Sequence, residues 1–556
     1  MAEETSDIQT VLQYPMSSPV PRPLRDNGED DIANTPDVQN MAMKMERAEK
    51  AYMKYEGQQE GKPAGLEVWG WYLYEFCSYF VHSVLIPIVF PLIISQVVSR
   101  PPEPEQGWSK NSRGFVCTQK EMKQYQSLTL RSIKISNSTR LSPLEWTSLS
   151  RAIGLIVAAP VLGFVSFRLD RGRQQLFIAA SSIAVGVVFC LPAGFFKTVW
   201  IFLPYIVAIV AAHTIARSCH TRHLGLMVRG FTGPNIPERQ FPTRRAISGW
   251  FSLYGTVAGC AGSAIIAAFT YHMLRESPDE ELLSLWVVSI FSGLMWLVGI
   301  FHVVTSAARI FKDDTPPQSR SHALSIFKYP HAIESLAGVF LSSFTTMCIF
   351  TGGVLFLVGQ LCLKPTFLLY FWFIYFIFPL FSLPLLQPLQ HLIKADAVKM
   401  QLLGFFISAA TTGVGFYYKG SNWKRHSVLF FAAAQGTSTG LLHAFGRVLL
   451  LDCSPPGKEG AFSLWFSWMK ALGAFAGFTV ASVVPGNIGT SFGTAFFTAL
   501  LGIVMLIFGN LSDFGGAVAA GHVRSSDDDS EKGSPKHSMD HGGMQVKELE
   551  HGELTP

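Results

Sequence analysis

The chain has 556 residues, 49% of them hydrophobic and only 15% charged, with a formal net charge of +5 and a mean hydropathy of +0.29. Soluble domains carry nearer a quarter charged residues, and so small a net charge gives no reason to expect nucleic acid as a partner. Apolar residues gather in long runs and charges in tails and loops, which specifies an all-α membrane protein of many spans embedded in a lipid bilayer.

Residues 1–67 are polar, rich in Pro, Asp and Glu up to Asp37, and lack the short apolar core of a cleaved signal peptide. Their composition predicts a disordered tail, in which Met41–Glu56 reads either as solvated chain or as a short surface helix with Glu46 and Lys50 on one face. The first apolar run, Trp69–Val98, exceeds the roughly 20 residues a span needs. Pro87 and Pro91 should kink it, because each removes a backbone donor. A long polar loop, 99–143, follows. Further spans are predicted at about 144–167, 175–195, 198–219, 246–269 and 283–306, then a polar connector at 307–330. A second set falls at about 331–360, 366–390, 399–418, 426–451, 461–484 and 490–510, before a charged, disordered tail at 511–556. The expected fold class is therefore twelve transmembrane helices in two six-helix bundles, 68–306 and 331–510. The eight cysteines lie mostly in apolar runs, with only Cys117 in a long polar loop, so no disulfide framework is implied.

Lys and Arg in short loops orient such a protein. They concentrate on the side that includes Arg168, Arg171, Arg173, Arg222, Arg229, Arg239, Arg244 and Arg245, which places both termini in the cytosol. The 99–143 loop would then be non-cytosolic, and it contains Asn137-Ser138-Thr139, a glycosylation acceptor triplet.

The two sets of spans carry a faint internal repeat. His213 and Arg217 in the fourth span have the spacing of His443 and Arg447 in the tenth. Trp250-Phe251-Ser252 leads to Ala261-Gly262 in the fifth span as Trp465-Phe466-Ser467 leads to Ala476-Gly477 in the eleventh. Weak symmetry between hydrophobic halves marks secondary transporters. Under this repeat Ala258 and Gly262 match Gly473 and Gly477, small residues at a spacing that lets helices approach closely.

Ionisable residues inside spans are costly, about 2.5–3.5 kcal/mol each at the centre, and functional by default. Glu75 and His82 lie in the first span two turns apart, so both are expected near one helical face. A carboxyl held between burial and a nearby cation can take up and release a proton; the plainer role for Glu75 is a structural ion pair. Arg447 and Lys470 are candidates to hold a carboxylate or phosphate, Arg as a planar fork and Lys as a point charge. Arg447 lies near the cytosolic end of its span, where snorkelling is the alternative. Lys470 lies about ten residues into its span and is opposed in the repeat by Gly255. His213 and His443 complete the candidate set, with packing as their plainer role. No Gly-rich phosphate loop and no His-Glu-x-x-His zinc motif occurs, so an ATP-driven pump, an enzyme and a bound cofactor or metal are not expected.

Twelve spans in two sets with a central connector resemble the major facilitator superfamily. That superfamily carries a Gly-x-x-x-Asp-Arg/Lys-x-Gly-Arg/Lys motif after the second span. Here Gly163 and Arg168 fit, Phe167 replaces the Asp, and Asp170-Arg171-Gly172-Arg173 supplies a displaced version, which makes Arg168, Asp170, Arg171 and Arg173 gating candidates. Within the superfamily, Gly70-Trp71-Tyr72-Leu73-Tyr74-Glu75-Phe76 is similar to the Trp-x-Leu-Tyr-Asp opening of the autophagy-related vacuolar effluxers, with Glu for Asp. Arg447, Pro455-Pro456-Gly457-Lys458-Glu459-Gly460-Ala461-Phe462 and Lys470 resemble a second motif of that family. The resemblance implies a permease of the vacuolar or lysosomal membrane that releases neutral amino acids to the cytosol by alternating access, with Glu75, Arg447 and Lys470 in functional roles. A carrier of another organic anion or a metal chelate, at the plasma membrane or elsewhere, and a non-transporting receptor or scaffold working through its tails are the alternatives.

Overall fold

A computed structural model describes residues 61–98, 125–170, 174–196, 198–233, 235–276, 285–312, 323–359, 361, 365–419, 423–485, 487–509 and 511–524. Eleven helices among them are long and apolar enough to cross a membrane. These are α1 (Gly65–Val97), α2 (Pro143–Leu169), α3 (Gln175–Gly194), α4 (Val199–Thr232), α5 (Glu238–Met273), α6 (Leu285–Ala307), α7 (Pro330–Gly359), α8 (Tyr370–Gln390), α9 (Ala397–Tyr417), α11 (Glu459–Val483) and α12 (Ile488–Phe508). The twelfth, α10 (Arg425–Asp452), has 28 residues and so has the length. Its polar residues keep it out of the apolar set: Gln435, Thr437, Ser438, His443, Arg447 and Asp452 are all buried.

Local chemistry explains where these helices start and bend. Ser142 caps α2, accepting from Glu145 N at 3.1 Å while Glu145 Oε2 accepts from Ser142 N at 2.8 Å, with Pro143 at the first helical position. Gly233, at φ +87°, ends α4 by donating its N–H to Arg229 O at 2.7 Å. In α1, Val81–Val89 winds as a π-helix with Pro87 inside it. The break expected from Pro87 and Pro91 thus takes the form of widened winding, a feature frequent at functional sites. In α8, Pro379 has no N–H to offer the carbonyl four residues back. That carbonyl, Tyr375 O, sits where a Cβ on Gly436 would be, so α8 and α10 meet through a glycine.

The sequence repeat is present in the packing. A Cβ on Gly262 would strike Phe76 O of α1, and a Cβ on Gly477 would strike Phe344 O of α7. The fifth helix of each half therefore lies against the first helix of its half through a notch at the matched glycine. The halves meet where α2 packs on α11, α5 on α8 and α10, and α4 on α11.

One end of the molecule is clasped by polar contacts between the halves. Asp170 Oδ1, at the end of α2, accepts from Gly460 N at the start of α11 at 2.8 Å. Arg229 on α4 pairs with Glu459 on α11. Arg244 on α5 lies 3.5 Å from Asp452 on α10, and Arg245 lies 2.7 Å from Asp513. Asp513 opens a short helix, α13 (Asp513–Ala519), and the strand after it, Val523–Arg524, pairs in parallel with Ile236–Pro237. His522 Nε2 donates to Ser454 O at 2.8 Å.

Several boundaries differ from the sequence reading. Residues 511–524 were expected in a disordered tail but form this strap, because Ala517 and Val523 bury against Ile236 and Phe241. The 99–143 loop contains a small hairpin, Ile133–Lys134 with Arg140–Leu141, tied down by Ile133 and Tyr125 in the apolar core. The first helix begins at Gly65, before Trp69. Six cysteines are free among the described residues, whereas Cys117, Cys362, the tail before residue 61 and the chain after 524 lie outside them.

Candidate functional site: a buried cationic cluster between the halves

All six of the central candidates, Glu75, His82, His213, His443, Arg447 and Lys470, come together in the middle of the molecule. Glu75, 2% exposed, pairs with Arg447, 1% exposed, across the two halves. Arg447 is therefore an internal partner, and snorkelling is excluded because its guanidinium is fully committed. Its Nε donates to Ser252 Oγ at 2.9 Å and Nη2 to Ser252 O at 3.0 Å, and its guanidinium lies 5.0 Å from the Trp71 ring. Ser252 in turn donates to Ala444 O at 2.7 Å. Gly255, the repeat counterpart of Lys470, is what admits the Trp71 ring: a Cβ there would lie 2.7 Å from Trp71 Cη2 and 3.4 Å from Arg447 Nη2.

His82 and Glu75 share the cluster but not a partner. Glu75 lies 3.2 Å from His220 Nε2. His82 Nδ1 faces Arg217 Nη1 at 3.3 Å, and its ring is 5.5 Å from that of His213. Arg217 also reaches across to the second half, with Nη2 2.9 Å from His443 Nε2. The other nitrogen of His443, Nδ1, is met by Lys470 Nζ. Two basic side chains thus face both nitrogens of one imidazole, which, when neutral, offers a single acceptor lone pair.

Four basic side chains, Arg151, Arg217, Arg447 and Lys470, are each no more than 8% exposed in this region. Glu75 is the one carboxylate in direct contact with them among the described residues. Arg151 lies over Phe478 at 5.1 Å, and its Nη1 has no hydrogen-bond partner. Beside this cluster, α1, α7, α8, α10 and α11 line a pocket that is open at its mouth. Lys470, His443, His82 and Tyr79 face it together with the hydroxyls of Ser342, Ser343, Thr346 and Thr439. Such a setting, apolar walls with a few convergent polar groups, suits a small molecule.

Sequence reasoning noted Arg217 and Ser252 only as repeat marks and missed Arg151 and His220. Arg151 and Arg217 lie inside predicted spans, so the cost of a buried charge was a signal already available for both. Ser252 carries none beyond the repeat, since a serine in a helix is locally unremarked, and His220 falls one residue past the span predicted at 198–219. Of the gating candidates, Asp170 reaches the other half, whereas Arg168 stays within its own, donating to Gln174 Oε1 at 3.1 Å and lying over Phe164. Arg171 and Arg173 lie outside the described residues. Asn137 is exposed in the small hairpin.

Comparison with solved structures bears on the fold. A bacterial homologue of the iron transporter ferroportin, crystallised in an outward-facing state, overlays with a TM-score of 0.52 at 12% identity, covering 80% of this chain and 98% of that one. FucP, a Major Facilitator Superfamily transporter in the outward conformation, overlays more loosely, at 0.46 and 12% identity, covering 79% of this chain and 99% of that one. No protein-family model and no curated protein matches the sequence. The architecture is that of a multi-pass membrane protein of two pseudo-symmetric six-helix bundles, the major facilitator fold. The resemblance to the vacuolar effluxers continues to rest on its two sequence motifs.

Proposed function

We propose that the protein is a secondary transporter that moves a small carboxylate-bearing solute by alternating access. The observation that carries this reading is that Lys470, at the wall of the cavity, and Arg217, behind it, share the one imidazole of His443. A carboxylate has two oxygens and about four lone-pair sites, so it satisfies these donors where His443 cannot satisfy both. Lys470 and Arg217 are its binding groups and Arg151 adds to the attractive field. The Ser and Thr hydroxyls and the Tyr79 and Tyr375 rings suit the ammonium end of a zwitterion. Neutral amino acids are therefore the favoured cargo, in keeping with the effluxer motifs and with release from a vacuole or lysosome to the cytosol. Glu75 is the proton-carrying group: its partner Arg447 belongs to the other half, so rocking of the halves changes its electrostatic setting. The clasped end, where the loop arginines gather, is cytosolic, as are both termini.

A second reading, an organic monocarboxylate without an ammonium group, is favoured by the excess of basic over acidic side chains. A bare metal cation is disfavoured by that same excess. Uptake into proteoliposomes of a panel of neutral amino acids and monocarboxylates, with and without an imposed pH gradient, tests the proposal. Lys470→Ala should raise KM for the transported solute at least tenfold while protein yield holds. Wild-type vesicles that accumulate no carboxylate, or an unchanged KM in the variant, would refute it.

A further inference from the structure

Glu75 has a second set of neighbours that the carboxylate site does not use. On the side away from the cavity, three buried histidines connect it with another buried carboxylate, Glu67. His220 Nε2 is 3.2 Å from Glu75 Oε1, and His223 Nε2 is 2.9 Å from Glu67 Oε1. His302 of α6 stands between the two, its ring centroid 5.0 Å from His220 and 5.0 Å from His223, edge-on to both. His220, His223 and His302 are 1%, 0% and 4% exposed. At this separation the link between the rings of His220 and His302 is through a bridging water, since His220 Nδ1 and His302 Nε2 make no direct hydrogen bond.

We infer that Glu67, His223, His302, His220 and Glu75 form a proton relay running inside the first bundle, from the clasped end to the centre. The inference rests on the transport reading above. The eight helical steps from Glu67 to Glu75 span about 12 Å. His220 and His223, three apart on α4, lie on one face turned toward α1 and α6. Glu67 is in the first turn of α1, beside the exposed Gly65 and Leu66, where water can recharge it. Each imidazole accepts a proton on one nitrogen and releases one from the other. One proton leaves the Glu67 carboxyl, one arrives on the Glu75 carboxylate, and no other reactant is consumed. Among the described residues, the charged and titratable groups facing the string are Glu75 with Arg447, Glu67, Arg217, whose charge acts on Glu75 and Tyr74, and Tyr74 itself, whose ring centroid is 4.3 Å from that of His220 and 5.7 Å from that of His302. Arg222 on the same helix is turned away to Gln175 on α3.

This arrangement gives the proton and the solute different routes. The solute path lies between the halves and is shut at one end by the clasp. The relay involves α1, α4 and α6 alone, so it stays connected to that end while the clasp is closed. Arg447 then acts as the opposing partner: in this state it holds the Glu75 charge, and its withdrawal with the second half would hand the carboxylate to His220.

Trp71 supplies a reporter. Its ring stacks on His220 with centroids 4.5 Å apart and an interplanar angle of 11°, and a protonated imidazole in contact with an indole quenches its fluorescence. The full chain in lipid nanodiscs is mixed with acid in a stopped-flow cell, and the trace from Trp71→Phe is subtracted. The wild type should show a fast Trp71-dependent quench. His302→Gln and Glu67→Gln, each checked for a monodisperse profile, should slow it at least tenfold. Absence of a Trp71-dependent signal in the wild type, or equal rates in both variants, overturns the relay. That failure leaves the carboxylate site standing, whereas loss of solute uptake by the wild type sinks the transport reading and not the fluorescence result.

Discussion

Removing the negative partner from the central ion pair should do more damage than removing the positive one. Four buried basic side chains, Arg151, Arg217, Arg447 and Lys470, surround one carboxylate, a formal excess of three positive charges. Glu75→Gln raises that excess to four. Arg447→Met lowers it to two and leaves Glu75 with His220 at 3.2 Å. Breaking a buried pair by deleting one partner costs about 3–5 kcal/mol, and Glu75→Gln should reach that range because it also adds to the repulsion. For bundles of this size such a loss lowers the melting midpoint by on the order of 10 °C. Arg447→Met should cost less despite losing three interactions, with Ser252 Oγ, Ser252 O and Trp71. The assay is the thermal midpoint of purified protein in one detergent at one pH, followed by fluorescence-detected size exclusion. A midpoint for Arg447→Met below that of Glu75→Gln would refute the reasoning, since packing and not charge excess would then govern the cluster.

Three further outcomes are expected. Saturating carboxylate solute at about 100 times its Kd should stabilise the wild type by about 2.7 kcal/mol, read as a rise in melting midpoint, and Lys470→Ala should abolish the rise. Gly262→Val and Gly477→Val should each destabilise their own bundle by about 1–3 kcal/mol, read as reduced monodisperse yield, because each drives a side chain into the carbonyl of Phe76 or Phe344; normal yield from either would contradict the notch. At the clasped end, burial chiefly, then Arg244 and Arg229, holds His522 well below the usual histidine range. Such a group stays neutral in the strap but protonates when the strap opens, so its contribution is present above about pH 6.5 and declines as pH falls below it. Cys453, buried against Gly516, should accordingly be labelled faster by an impermeant thiol reagent, relative to a free thiol at the same pH, as pH falls from 7.5 to 5.5, and His522→Gln should remove that dependence.

The spans were legible because hydrocarbon imposes length and apolarity on each of them, and Glu75 and Lys470 because a charge stands out in such a run. Even Gly262 and Gly477 were marked in advance, since a small-residue ridge repeats in the primary structure. Partnerships were a different matter. Nothing near Arg447 announces that its carboxylate lies on α1, 372 residues earlier. His220, His223 and His302 gain meaning only from lying together across α4 and α6. The strap at 511–524 was read as loose chain because its apolar residues are few, and their counterparts, Ile236 and Phe241, belong to the other half. Local pattern thus reports the solvent each residue must meet; who faces whom across the bundle depends on helix rotation, which no single run encodes.

The polarity of α10 has a consequence for biogenesis. A helix bearing Gln435, Thr437, Ser438, His443 and Arg447 is a poor substrate for insertion by itself, since polar and charged side chains oppose entry into lipid. Its burial against α8, α9 and α5 in the finished molecule means that these neighbours must shield it as it leaves the translocon. The second bundle should therefore integrate as a group, with α10 leaving the channel against α8 and α9, which are already made. Nascent chains that lack α8 and α9 would leave residues 425–452 in water, while chains that retain them would carry that segment across the bilayer.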